Sequence, residues 1–181
     1  MCDDSGTAHG ATAQCVRIRP KEPGDAESVA RYLRQAWGGP IVVSHGQAYD
    51  CATLPALLAE SGADLVGLVT YVIADDALEI VTINASRRAG GVGSALLAAA
   101  EGVARDLRLR RLWLITTNDN LDALRFYQRR GMRMVEVLVG AMDLSRDTKR
   151  RMGAGDVPLI GHYGIESRDE IALERQLPVP T

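Results

Sequence analysis

Residues 87–94 read Arg-Arg-Ala-Gly-Gly-Val-Gly-Ser, and residues 120–132 read Asn-Leu-Asp-Ala-Leu-Arg-Phe-Tyr-Gln-Arg-Arg-Gly-Met. The first stretch lies between the apolar run Leu78 to Ile83 and a segment with Leu96, Leu97, Ala100, Val103, Ala104 and Leu107 at helical spacing. It therefore predicts a glycine turn joining a strand to a helix. Glycines there take positive φ and let backbone approach a ligand closely. The N–H groups at the helix start, Val92 to Ser94, have no partner inside the helix, and with the helix dipole they form an anion site, to which Arg88 adds a charged donor. A turn that only redirects the chain is the plain alternative. A Walker loop is excluded, because Ser94 follows Gly93 with no lysine between them. A dinucleotide fingerprint is excluded too, because Leu96 stands at the third glycine and Arg110 and Arg111 stand near the acid that would bind ribose.

In the second stretch Asn120, Ala123 and Tyr127 fall at i, i+3 and i+7 and share one helix face. An amide, a small residue and a phenol on one face suit the close approach of a polar ligand, although a core tyrosine with a satisfied hydroxyl would give the same spacing. Asn118 to Asn120 can cap this helix, and Gly131 suits a left-handed stop.

Working outward, Val16–Arg19 alternates and meets Pro20, as a first strand does. Asp25 can cap a helix to about Ala36, broken by Gly38-Gly39-Pro40. Further strands are expected at Ile41–Val43, Leu65–Ile73, Leu78–Ile83, Arg111–Thr116, Arg133–Val139 and Glu170–Arg175. Leu54–Glu60 reads as a short helix, and Asp143–Arg151 as a charged helix or loop. The order is mixed α/β (α+β) with short connections and no internal repeat.

The chain has 181 residues, 46% of them apolar and 24% charged, which suits one globular domain over 15–181 behind a small, polar, flexible leader over 1–14. The leader lacks the pattern of a signal peptide, and no apolar run is long enough to span a bilayer. Cys2, Cys15 and Cys51 are widely spaced and suit reduced cytoplasmic thiols. His9, His45 and His162 are scattered, so no metal site follows from spacing. The net charge of -2 hides an asymmetry. From Glu22 to Ser86 nine acids face only Arg31 and Arg34, whereas from Arg87 to Arg133 ten arginines face four acids. The basic segment suits a polyanionic ligand and the acidic one a cationic ligand, with Asp50, Glu60 and Glu79 the acids expected to matter.

Together the two stretches resemble the GCN5-related N-acetyltransferase (GNAT) superfamily. Residues 88–93 resemble its pyrophosphate loop, Gln/Arg-x-x-Gly-x-Gly/Ala, and residues 120–132 its later motif, Asn-x-x-Ala-x-x-Phe-Tyr-x-x-x-Gly-Phe, with Met132 in place of the last Phe. The resemblance is close over Leu78 to Val137. It implies a mostly antiparallel twisted sheet whose fourth and fifth strands are parallel and splayed, with helices on both faces. It implies acetyl-coenzyme A as co-substrate, pantetheine pairing with Val81, Thr82 and Ile83, and pyrophosphate on Arg88, Ala89, Gly90, Gly91, Val92, Gly93 and Ser94. Asn120, Ala123 and Tyr127 would border the pantetheine arm, and Arg129 or Arg130 would reach the 3′-phosphate. Glu79, on the fourth strand, would take the amine's proton directly or through water, and Tyr127 would protonate the departing sulfur. Ile115 stands where ribosomal-protein N-terminal acetyltransferases carry a glutamate, which argues against that subgroup. Residues 158–161 and 168–171 resemble the tails of a poorly characterised branch. The implied activity is direct acetyl transfer to a small-molecule or peptide amine, without nucleic acid, membrane or metal, in a protein compatible with a homodimer. The second reading is a coenzyme A-binding sensor that keeps the pocket without turnover.

Overall fold

The computed structural model describes residues 16–86 and 90–178. Their order is β1 (Val16–Pro20), α1 (Ala26–Trp37), β2 (Ile41–Ser44), β3 (Gln47–Asp50), β4 (Ala56–Ser61), β5 (Asp64–Ala74), β6 (Ala77–Ala85), α2 (Val92–Asp106), β7 (Arg111–Thr117), α3 (Leu121–Gln128), β8 (Arg133–Leu138), α4 (Ala141–Arg151) and β9 (Glu170–Gln176). Seven strands form one sheet in the order β1-β4-β5-β6-β7-β9-β8, and β2 and β3 form a separate hairpin. Every neighbouring pair is antiparallel except β6 and β7. This is the mixed α/β sheet that the two motifs imply, with its parallel pair at the fourth and fifth places.

The parallel pairing is short. It joins Ala77–Ile80 to Arg111–Leu114 and then stops, so Val81–Ala85 and Ile115–Thr117 run on without pairing to each other. The split starts beside a bulge: Thr70 faces Thr82 while Tyr71 faces Ile80, which leaves Val81 as the extra residue on β6. A bulge bends a strand and ends regular pairing, and both help to pull β6 from β7.

Alternation along the strands divides the core between two faces. On one face Leu78, Ile80, Leu112, Leu114 and Leu173 pack against Leu96, Leu97 and Ala100 of α2. Gly67 on β5 permits that approach: a Cβ there would lie 2.7 Å from Val92 Cγ1 and 2.9 Å from Leu96 Cδ1. On the other face Leu58, Leu68 and Val81 meet Val29 and Leu33 of α1 and Tyr49 of the hairpin. Helix α4 lies against the hairpin and has Met142 and Ser145 buried.

Three local readings change. Leu54–Glu60 is not a helix: β4 occupies Ala56–Ser61, paired on both sides with β1 and β5. Its Ala-Leu-Leu-Ala-Glu run suits a helix by propensity, but five of its six residues are buried, as in a strand covered on both faces. The hairpin strand Gln47–Asp50 is an addition. It turns at His45-Gly46, where both residues take positive φ, a turn not flagged by the usual Asn-Gly pair. Asp25 stands at the start of α1 without capping it. Its carboxylate accepts from Arg19 at 2.6 and 2.8 Å and from the Glu22 N–H at 2.7 Å.

Candidate active site

Two of the quoted stretches meet at the wide end of the split. Gly91 precedes α2 with φ of 84°, and no side chain caps the helix. The Ala95 N–H bonds the Gly91 carbonyl, so the amides of Val92, Gly93 and Ser94 begin the helix without a backbone partner among the described residues. Arg130 donates to Ser94 Oγ, through Nε at 3.0 Å and also through Nη2. Its guanidinium lies 3.7 Å from the Phe126 ring centroid, which ties the end of α3 to the start of α2. Gly90 is an exposed turn residue, whereas Arg88 and Ala89 lie outside the described residues. Asn120 caps α3, its Oδ1 accepting from the Ala123 N–H at 3.2 Å. Tyr127 is buried edge-on to Phe126, and its hydroxyl makes no hydrogen bond to any described residue. Burial pushes that hydroxyl well above the usual tyrosine range, so it stays protonated.

At the closed end, on the opposite face of the sheet, stands Glu79, 6% exposed. The Tyr49 hydroxyl donates to its Oε2 at 3.3 Å, and His45 Nε2 lies 3.3 Å from Oε1. Tyr49 and His45 are themselves 3.2 Å apart, and the His45 ring packs against Trp113. Burial raises the Glu79 pKa above the ordinary carboxylate range. His45, Tyr49 and Arg111 offset part of that rise. Neither His45 nor Tyr49 was visible as a site residue in the sequence, because the hairpin that carries them was not expected. A polar Ser-His-Gly-Gln step between two apolar pairs was the one available signal.

Where the pairing ends lies a cavity of about 520 Å³, bordered by Val81 of β6, by Ile115–Thr117 of β7 and by Asn120; Glu79, Tyr127 and the amides of Val92–Ser94 do not line it. The hairpin, α4 and the segment 157–162 close it. The cavity brings together residues from α1, β2, β6, the end of β7, α4 and the segment that leads into β9. Its acids are Asp119 and Glu170, which the charge reading did not single out. Of the three acids that reading named, Glu60 is bound by Arg19 at 2.6 Å and Asp50 caps the turn at the Ala52 N–H, so only Glu79 stands near the split.

Comparison with known proteins bears on this geometry. The family model described as "Acetyltransferase (GNAT) family" matches residues 20–132. The uncharacterised protein YxbD of Bacillus subtilis (strain 168) is 35% identical over 150 residues, 82% of this chain and 91% of YxbD. An IAA acetyltransferase from Bacillus cereus superposes with a TM-score of 0.65 at 19% identity, covering 90% of this chain and 100% of that one. A GNAT family acetyltransferase from Elizabethkingia anophelis with acetyl-CoA bound gives 0.63 at 18% identity, covering 90% and 98%. At those identities the two solved structures speak for the fold.

Proposed function

Since the chain belongs to the GNAT acetyltransferase family, we propose that it transfers an acetyl group from acetyl-coenzyme A to an amine by direct attack in a ternary complex. The observation that carries this reading is the split sheet, with free helix amides at its wide end and a buried carboxylate at its closed end. The residues present fit coenzyme A. The amides of Val92, Gly93 and Ser94, with Gly90 and Gly91 before them, suit a pyrophosphate. Arg88 and Ala89 complete that loop in the sequence. The unpaired edge of β6 at Val81, Thr82 and Ile83 suits the pantetheine amides by strand addition. Asn120 borders the same cleft, with Ala123 one turn on along the same helix, and Arg129 or Arg130 serves the 3′-phosphate. When bound, acetyl-coenzyme A supplies an acyl group already activated as a thioester.

The chain's own groups manage the protons. An amine at neutral pH is mostly ammonium and must lose a proton before it can form the new C–N bond. Glu79, with its pKa raised by burial, takes that proton directly or through water. Tyr127, held protonated, donates to the sulfur as the C–S bond breaks. Direct transfer needs no nucleophile from the protein, and Cys51, buried with its thiol pKa pushed up to about 11 chiefly by burial, is poorly suited to be one. The acceptor is a small-molecule or peptide amine. The test is release of free coenzyme A against a panel of amines. Amine-dependent thiol supports transfer, and tight acetyl-coenzyme A binding without it supports a coenzyme A sensor instead.

A further inference from the structure

Asp119 and Glu170 are buried in the wall of the cavity, at 3% and 2% exposure. They lie on either side of Thr117: Glu170 is its cross-strand partner on β9, and the Thr117 hydroxyl is close to the Asp119 carboxylate. Glu170 accepts from the His45 N–H at 2.8 Å and from the Ser145 hydroxyl at 2.9 Å, both neutral donors. Asp119 Oδ2 accepts from the His162 N–H at 2.8 Å, while Oδ1 is buried with no hydrogen-bond partner among the described residues. Neither carboxylate forms an ion pair with a described residue, although Lys149 and His162 also border the cavity. Burying a carboxylate without a cation is costly, and an unpaired buried acceptor adds to the cost. A cation brought by a ligand would offset both. Around these acids the wall is apolar, with Trp37, Val42, Val43, Ile115 and Met142. That combination suits an alkyl chain ending in a positive charge.

Resting on the acetyl-transfer reading, we propose that the acceptor is an alkyl diamine or polyamine, with one nitrogen acetylated near Glu79 and the second, still an ammonium, held by Asp119 and Glu170. The carboxylates divide the work. Burial tends to raise the Asp119 pKa, but the nearby Thr117 and Ser167 hydroxyls and the His162 N–H outweigh it and hold Asp119 below the ordinary range. Asp119 therefore stays anionic at neutral pH and serves as an anchor. Glu79 shifts the opposite way and serves as a base. Oδ1 keeps an acceptor position that no described residue fills.

The test compares hexamethylenediamine with hexylamine, which have the same chain and differ in one terminal ammonium. The diamine should have a KM lower by roughly tenfold or more, the size of one charge-assisted contact. Asp119→Asn and Glu170→Gln should each remove most of that advantage, and Asp119→Asn should leave hexylamine KM, kcat and acetyl-coenzyme A affinity little changed. Glu170 also holds the hairpin through His45, whereas Asp119 bonds the His162 N–H, so Asp119→Asn carries the test independently. Equal KM for the two amines, or variants that raise both alike, would overturn the proposal. If no amine is turned over, the transfer reading itself fails. The anchor is then decided by calorimetry with hexamethylenediamine alone: binding lost in Asp119→Asn upholds it, and no binding by the wild type overturns it.

Discussion

In the proposed reaction Glu79 and Tyr127 carry opposite requirements, and burial serves both. A base must be deprotonated yet keep affinity for a proton, and desolvation raises that affinity in Glu79. An acid must keep its proton until the sulfur needs it, and desolvation ensures this in Tyr127. In Glu79→Gln, kcat/KM should fall by about 10²- to 10⁴-fold, and the acid limb assigned to Glu79 should vanish from the pH–rate profile. The stability effect has the other sign. A carboxyl whose folded pKa is raised contributes stability below its unfolded pKa, and that contribution is lost as pH rises through the folded pKa. Glu79→Gln should therefore melt no lower than wild type at alkaline pH, and a lower melting temperature there would contradict the burial argument. Tyr127→Phe keeps the ring and removes the donor, so kcat should drop while acetyl-coenzyme A affinity, read by calorimetry, stays put. A wild-type rate would remove Tyr127 from the mechanism. Residues 79 and 127 were legible in the sequence because each sits at a fixed offset from a local motif. His45, Tyr49, Asp119 and Glu170 were not, because they meet only through pairing between distant strands.

Elements set where these groups stand. The start of α2 was legible at once, since a glycine turn before a helix leaves its mark over a few consecutive residues. A glutamate at position 93 would place its Cβ 3.4 Å from the Phe126 ring, an ordinary contact, and its carboxylate beside the free amides. An acid there favours the helix dipole, so Gly93→Glu should fold normally and still lose acetyl-coenzyme A binding in calorimetry. Unchanged affinity in the folded variant would mean that the anion site lies elsewhere. By contrast, β4 was misread because a strand buried on both faces has no alternation to display, and its Ala and Leu residues point by propensity to a helix. That strand is pinned to α1 by Arg19, which bonds Asp25 and Glu60 together. Arg19, then the Glu22 N–H, hold the Asp25 pKa down to about 2. A lowered folded pKa gives stability that is present above the unfolded value and lost as pH falls through the folded one. Arg19→Met should therefore lower the melting temperature by a few degrees at neutral pH, with the gap narrowing toward pH ~2. A gap independent of pH would show that the loss comes from packing of the Arg19 stem instead.

At the scale of the whole molecule, the account rests on a sheet that stops pairing halfway. Pairing of β6 with β7 ends at Ile80 and Leu114, and the bulge at Val81 turns the strands apart at the point where the cavity begins. The amides of α2 border one end of that opening, and the hairpin closes the other with Glu79 beneath it. In the proposed reaction this arrangement joins a thioester on one side to an amine on the other, with an acid on β6 and a phenol on α3 serving one transfer. The most direct measurement of that claim is product detection by mass spectrometry. Purified protein is incubated with acetyl-coenzyme A and hexamethylenediamine, and free thiol is followed in the same samples. The account predicts the monoacetylated diamine and free coenzyme A appearing in equal amounts with wild-type protein, both at background in Glu79→Gln. Saturable binding of acetyl-coenzyme A with no acetylated product, from this amine or any other in a broad panel, would contradict it.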